Sequence, residues 1–324
     1  MGKNILLVGE PMGLFIAQEE ALLEDVHLFA ASVAGAEFNV AVGLSRLGHS
    51  VGYMTKLGND PFGRRIVKAM EQNRIGTSLI TYSDNHATGF MLKSKTNRGD
   101  PDIFYYRKNS AASTITTADL EKIDLAHYDG LHITGILPAL SASALEATQY
   151  LMEKAKAAGI TIFFDPNLRP SLWSNRSTMV QELNRLAVLA NYVLPGCKEG
   201  GILCGTEEPE KIADFYLSRG VNTVIVKIGP KGAYAATKEG DFCSPTYHAE
   251  KIVDTVGAGD GFAAGVISGV MEALPLEEAV QRGNAIGTLQ VMNASDNEGL
   301  PTRRELDSFM SANWQETIEG KNIQ

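Results

Sequence analysis

Residues 141–165, SASALEATQYLMEKAKAAGITIFFD, carry the pattern that decides the fold. Ser141 belongs to the residue types that cap helices, because its hydroxyl can take an amide hydrogen left unpaired in the first turn. Ala144, Leu145, Leu151, Met152 and Ala155 return at near-helical spacing until Gly159, a residue suited to the left-handed turn that ends a helix. Ile160 to Phe164 is then a continuous apolar run of strand length that closes on Asp165. A helix leading directly into a buried strand is part of the crossover unit that builds parallel sheets. Asp165 therefore stands at a strand's carboxyl end, the edge of an open α/β sheet where ligands bind.

The same alternation continues in both directions. Ile5-Leu6-Leu7-Val8-Gly9 reads as a first core strand and is too short for a signal-peptide core or a membrane span. Val224-Ile225-Val226 and Ala233 to Ala236 read as further buried strands. A chain of 324 residues with 44% hydrophobic content can bury a large core, so one α/β domain or a large domain with a small appendage is expected. Gly13 to Ser32 and Thr88 to Arg107 break the rhythm: they show strand-like alternation and aromatic residues such as Phe104-Tyr105-Tyr106. They form either a small sheet of their own or edge strands of the main one. The polar tail after Ser311 is expected to fray at its end. No internal repeat is present.

A formal charge of −9 argues against a broad phosphate-contacting surface, so nucleic acid is not an expected partner, while a locally basic pocket for a small anion remains compatible. The cysteines, Cys197, Cys204 and Cys243, are odd in number and show neither close pairing nor zinc-type spacing. Free thiols in a reducing compartment fit them best, which with the absence of a membrane-length apolar run points to the cytoplasm.

The chemistry concentrates in Asp254-Thr255-Val256-Gly257-Ala258-Gly259-Asp260-Gly261-Phe262, followed by Ala263 to Val270, a small-residue stretch read as a buried helix. Residues with little side chain just before a helix let backbone N–H groups approach an anion, and the positive end of the helix dipole strengthens the attraction. An adjacent carboxylate, Asp260, could accept a proton from an attacking hydroxyl while Gly257, Ala258 and Gly259 stabilise a moving phosphoryl group through their amides. The structural alternative is close packing at a helix start, with Asp260 as a dipole partner. There is no Gly-x-x-x-x-Gly-Lys-Ser/Thr run, and Phe262 stands where a dinucleotide fingerprint needs its third glycine.

The whole string resembles the C-terminal signature of the ribokinase-like carbohydrate kinases, also called the PfkB family. Gly35-Ala36-Glu37-Phe38-Asn39-Val40-Ala41, with Leu57-Gly58-Asn59-Asp60-Pro61-Phe62-Gly63 downstream, resembles that family's N-terminal signature, and the general pattern spans nearly the whole chain. The resemblance implies one doubly wound, mostly parallel α/β domain over residues 1–324, with a small β-sheet lid formed by segments at about 13–32 and 88–107. It implies an ATP-dependent sugar kinase with Asp260 as base, Gly35, Ala36 and Asn39 against the sugar, and Lys227, Gly229, Gly232, Gly257, Gly259 and Asn284 on the nucleotide side. Alanine at position 36 departs from the family's glycine pair. Leu194-Pro195-Gly196-Cys197-Lys198-Glu199 resembles the family's Asn-x-x-Glu motif with glycine in place of the asparagine, which leaves Glu199 an indirect role near Mg2+. A monovalent cation requirement stays open, and lid edges that pair between subunits would give a homo-oligomer.

Two arginine-bearing segments bear on the substrate: Phe104-Tyr105-Tyr106-Arg107 and Asp165-Pro166-Asn167-Leu168-Arg169. A guanidinium can grip a carboxylate with two parallel hydrogen bonds, so arginines in a sugar pocket suggest a sugar acid; ATP phosphates or surface ion pairs are the alternative uses. Both segments resemble those of the family's 2-keto-3-deoxygluconate kinases, which assigns Tyr105, Arg107, Asn167 and Arg169 to the substrate region. The rival expectations are a fructokinase or other neutral-sugar kinase of the same family, a nucleoside kinase, and a sugar-binding regulator without catalysis.

Overall fold

The computed structural model describes residues 2–96 and 101–319 of the chain, so residue 1, residues 97–100, inside the second of the two irregular segments, and residues 320–324 lie outside the described residues. The first part of the chain runs through β1 (Asn4–Val8), β2 (Met12–Ala17), β3 (Phe29–Ala34), α1 (Ala36–Arg46), β4 (Ser50–Gly58), α2 (Pro61–Gln72), β5 (Ile80–Ser83), β6 (Phe90–Lys93), β7 (Ile103–Tyr106) and α3 (Thr117–Glu121). It continues through β8 (Gly130–Thr134), α4 (Ala142–Ala157), β9 (Thr161–Asp165), α5 (Arg176–Ala187), β10 (Tyr192–Val193), α6 (Cys197–Leu203), α7 (Pro209–Leu217) and β11 (Thr223–Lys227). Strands β12 (Ala233–Ala236) and β13 (Asp241–Ser244) and helices α8 (Ala258–Met271), α9 (Leu276–Val291) and α10 (Arg303–Glu319) complete it.

The stretch at 141–165 folds as its pattern demands. Ser141 Oγ accepts the Ala144 N–H at 3.1 Å, α4 ends before Gly159 at φ 72°, and β9 closes on Asp165. Ala144, Leu151, Met152 and Ala155 lie fully buried against the sheet, while Leu145 is only partly covered. Strand β9 belongs to a nine-stranded sheet ordered β13-β12-β11-β10-β9-β8-β1-β4-β5, parallel from β11 to β5 and antiparallel at β12 and β13. Side chains alternate across it: Leu6, Val8, Ile162 and Phe164 join one core with α4, whereas Ile5, Leu7 and Phe163 join another with α1 and α8. Each such fully buried side chain stabilises the fold by about 1.5–3 kcal/mol.

The chain moves outward from β1 to β4 and β5, then returns to β8 on the other flank of β1. That reversal opens a crevice at the carboxyl ends of the central strands.

The two irregular segments do not extend this sheet. Strands β2, β3, β6 and β7 form a separate four-stranded sheet ordered β3-β2-β6-β7. One face covers a small core of Met12, Leu14, Ala34 and Met91; the other carries Phe15, Phe90, Phe104 and Tyr106, with Phe104 57% exposed. One boundary differs from the sequence expectation. The helix read as Ala263 to Val270 begins at Ala258, because Gly257 adopts φ 82° and turns the chain into it five residues earlier than the apolar run indicates. At the C-terminus, α10 runs past Ser311 to Glu319, and the end of the tail expected to fray lies outside the described residues. No helix among the described residues is long and apolar enough to cross a membrane.

Candidate active site

The crevice at the strand ends holds a cavity of about 370 Å³, roofed by the small sheet through Met91, Ile103 and Tyr105. That volume suits a small ligand. Gly35, Ala36, Asn39, Tyr105, Arg107, Asn167, Arg169, Glu199, Lys227, Gly257, Gly259 and Asp260 all line it. Residues separated by most of the chain's length are thus brought to one place.

Asp260 is the fourth residue of the turn that starts at Gly257, inside the first turn of α8. Its Oδ2 accepts from Asn39 Nδ2 at 2.8 Å, and Asn39 Oδ1 in turn accepts from Asn297 Nδ2 at 3.0 Å. Burial pushes the Asp260 carboxyl up to about 7, the Asn39 hydrogen bond and the Arg169 and Lys227 charges pull it down, and the Asp165 charge adds to the rise. A carboxyl tuned close to neutral pH is suited to taking and releasing a proton.

Beside it, Lys227 ends β11 and its Nζ lies 2.6 Å from Asp165 Oδ2 at the end of β9. Burial alone would lower the lysine pKa, but the charges of Asp165, Glu199 and Asp260 raise it, so the ammonium form is secured. A β-carbon on Gly259 would sit 3.9 Å from that Nζ, which places the ammonium next to the first turn of α8. Amides early in a helix have no partner four residues back, so Lys227 and the Gly259 amide make a cationic corner suited to an anion.

Asp165 also folds the loop after β9: its Oδ1 accepts the Asn167 N–H at 3.0 Å, and Asn167 takes the left-handed φ of 37° that asparagine tolerates. Glu199 Oε1 accepts from Leu168 N at 2.8 Å and Oε2 from Gly196 N at 2.7 Å. Burial raises the Glu199 pKa, the Asp165 charge raises it further, and Lys227 and the two amides lower it. The glycine at 196 costs the loop no backbone contact, since Glu199 reaches its N–H.

On the roof side, Arg107 is only 5% exposed and does not stand alone. Its Nε donates to Glu10 Oε2 at 2.7 Å, its Nη2 pairs with the same oxygen, and Ser110 Oγ donates to Glu10 Oε1. The guanidinium stands 5.6 Å from the Tyr105 ring centre, within cation–π range. Gly35 explains the glycine pair: its φ is 140°, and a β-carbon would lie 2.7 Å from Glu10 O. Ala36 is the first residue of α1, where ordinary helical backbone accepts a side chain.

Four expected residues fall outside the cavity lining. The Ala258 N–H is spent on Thr255 O at 3.3 Å, so it leaves the expected trio of anion-facing amides. Asn284 Nδ2 is spent on Ser244 O, Ser244 Oγ and Pro245 O at 3.0–3.1 Å, so its amide group holds a loop rather than facing open space. Gly232 takes φ 95° and a β-carbon there would also collide with the backbone of Ser244; Gly229, at φ 61°, has open space beside it. Glu10, Asp165, Asp296 and Asn297 are parts of the site that motif reading did not assign; of these, only Asp165 had a signal, its place at a strand's carboxyl end.

Comparison with known proteins agrees with this geometry. Residues 3–303 match the family model described as pfkB family carbohydrate kinase. The 2-dehydro-3-deoxygluconokinase of Bacillus subtilis (strain 168) is 48% identical over 322 residues, covering 99% of both chains. A PfkB protein from Polaromonas sp. JS666 is 41% identical and superposes with a TM-score of 0.87 over 95% of this chain and 100% of its own. A protein from E. coli named as a ribokinase II, solved in complex with ATP and Mg2+, is 25% identical with a TM-score of 0.87 over 96% of this chain and 100% of its own. The cavity geometry and a match across almost the entire chain lead to one conclusion: this protein belongs to the pfkB family of carbohydrate kinases.

Proposed function

We propose that the enzyme transfers the γ-phosphoryl group of ATP to the primary hydroxyl of 2-keto-3-deoxygluconate, the 2-dehydro-3-deoxygluconate of the Bacillus subtilis relative's name, giving the 6-phosphate. The observation that carries this reading is the placement of Asp260, with its pKa near 7, in one cavity with two arginines and the Lys227 corner. Asp260 takes the proton from the attacking hydroxyl, whose oxygen bonds to the γ-phosphorus as the bond to ADP breaks. Lys227 and the Gly257–Gly259 turn stabilise the charge that moves with the phosphoryl group. Asn39 orients the carboxylate of Asp260, and Gly35, Ala36 and Asn167 shape the sugar's surroundings. Arg169 serves the sugar acid or the phosphoryl charge.

Arg107 is the residue that selects an acid. Glu10 fixes it from one side, and its remaining N–H groups meet the substrate carboxylate, with Tyr105 against the sugar. The nucleotide lies along the turn that follows Lys227, with Gly229 and Gly232 giving it room, and the small sheet is the lid that excludes water from the transfer. Pairing with a second copy would use its outer strand β7 before β3, whose Ala31 and Val33 carbonyls accept from Arg65 and Asn297, and an ATP-consuming sugar kinase fits the cytoplasm. For Mg2+, no group of three His, Cys, Asp or Glu residues among the described residues could cage the ion. The cavity carboxylates Glu199 and Asp165 suit an ion held mainly through water and phosphate oxygens, which when bound neutralises phosphate charge.

A coupled ADP-release assay with Mg-ATP and 2-keto-3-deoxygluconate, fructose, ribose or adenosine tests this reading. Preference for the sugar acid is expected; preference for fructose would leave a kinase without a carboxylate clamp. Arg107→Ala should raise the KM for the acid by about 10–100-fold, the worth of a charged hydrogen-bonded contact, and that for fructose by far less. Because this change strands Glu10, Arg107→Ala/Glu10→Gln should be measured beside it, and equal effects on both sugars would remove the clamp.

A further inference from the structure

Lys93 is the odd residue of its strand. In Phe90-Met91-Leu92-Lys93, alternation places it on the same face as Met91, toward the cavity side, and it is only 2% exposed. Its Nζ lies 2.5 Å from Asp254 Oδ2 and 2.7 Å from Asp296 Oδ1. Each aspartate leads to a different part of the phosphoryl-transfer apparatus. Asp254 uses its other oxygen, Oδ1, to accept the Val256 N–H at 2.9 Å, one residue before Gly257. The backbone oxygen of Asp296 lies where a β-carbon on Gly257 would collide with it, so Asp296 packs directly on the anion-facing turn. Its neighbour Asn297 donates to Asn39, which donates to Asp260.

Lys93 also belongs to the roof. It pairs in register with Ile16 of β2 and Ile103 of β7, the strand that carries Tyr105 and leads to Arg107. A charge argument points the same way. Without the ammonium, two carboxylates would stand beside the turn that must receive a polyanion, and their repulsion would oppose it at short range.

We propose that Lys93 is a positioning residue that ties the small sheet to the transfer machinery, so that seating of the roof over the sugar sets both the Gly257–Gly259 turn and the Asn297–Asn39–Asp260 chain. It touches no reacting atom. The inference rests on the phosphoryl-transfer reading above and adds a residue that neither sequence signature contains.

The test compares wild type with Lys93→Ala, Lys93→Arg and Lys93→Met/Asp296→Asn in steady-state kinetics and thermal melts. The double variant keeps the charge of the trio at −1, as in wild type, and leaves one carboxylate, that of Asp254, without the ammonium instead of two. Its kcat should fall about 10–100-fold, the scale set by small misplacements of reacting groups, with sugar KM changed less than about threefold. Lys93→Ala leaves a space for a small cation between two carboxylates, so methylammonium should restore at least about fivefold of its kcat while tetramethylammonium, which has no N–H donor, should not. Lys93→Arg, which keeps the charge, should retain more activity than either.

A folded double variant with kcat within about twofold of wild type would overturn the proposal, as would a folded Lys93→Ala indifferent to methylammonium. Wild-type turnover reports separately on the function. If wild type phosphorylates none of the sugars, the tether still predicts ATP binding about tenfold weaker in the double variant by calorimetry, and equal affinities would sink it.

Discussion

The two sheets make a contrast. The nine-stranded sheet is buried on both faces and carries the groups proposed to move the phosphoryl group at its strand ends: Asp165, Lys227 and the Asp260 turn packed beside them. The four-stranded sheet has its small core on one face, meets Phe62 of α2 through Phe15 and Phe90 on the other, and presents Tyr105, with Arg107 just beyond its last strand, to the same cavity. The groups proposed for the chemistry thus sit on the more deeply packed part, whereas the small sheet adds Tyr105 and Arg107 to a proposed sugar surrounding that Gly35, Ala36, Asn167 and Arg169 supply from the main body. An element with the smaller core can open at a lower free-energy cost than the body beneath it.

The sharpest way to break that division is kinetic. Asp260→Asn should lower kcat by about 10³-fold or more, within the range for loss of a general base, with substrate KM little changed. Tyr105→Ala should instead act mainly on KM. If Tyr105→Ala lowered kcat as far as Asp260→Asn does, the assignment of chemistry to one sheet and grip to the other would be wrong. Next in size, Phe163→Ala should cost about 3–5 kcal/mol in chemical denaturation, because Phe163 is fully buried in the large sheet. Phe104→Ala on the exposed face of the small sheet should stay within about 0.5 kcal/mol.

A pH series sharpens the contrast further. The Asp260 pKa is raised from 3.8 to about 7, so the base is progressively protonated below pH 7. The kcat/KM of wild type should fall toward tenfold per pH unit on the acid side, and a profile flat down to pH 5 would exclude Asp260 as base. The stability effect has the opposite direction. An acid whose folded pKa is raised costs the fold nothing below its unfolded value, an increasing amount from about 3.8 to 7, and the full amount above. Asp260→Asn should therefore raise the thermal midpoint at pH 8 and have little effect near pH 3.5.

What could be read in advance follows from how far apart the partners lie in the chain. The α4–β9 unit was legible because its cap, apolar spacing and terminating glycine are local. The turn that carries Asp260 was legible because its residues are contiguous. Lys93 and Asp296 are 203 positions apart, Asn39 and Asn297 258 apart, and no local pattern joins them. The small sheet was recognisable as irregular, yet whether it extended the main sheet depended on long-range pairing. Ala258 and Asn284 show a different limit. Sequence shows which polar groups exist but not which are already spent, and both amides are bonded to nearby backbone. The early start of α8 was hidden by glycines, whose low helix propensity gives way here to the left-handed turn at Gly257.

The conformation of Gly35 and the helical setting of Ala36 have a consequence for how this enzyme can diverge. Position 35 is closed to variation, since any side chain meets Glu10 and an unfavourable φ together. Position 36 faces the cavity from regular helix, so side-chain bulk there alters the room offered to the sugar without disturbing the backbone. Two adjacent residues thus separate folding from ligand preference, and drift in specificity has an open address one residue away from a fixed one.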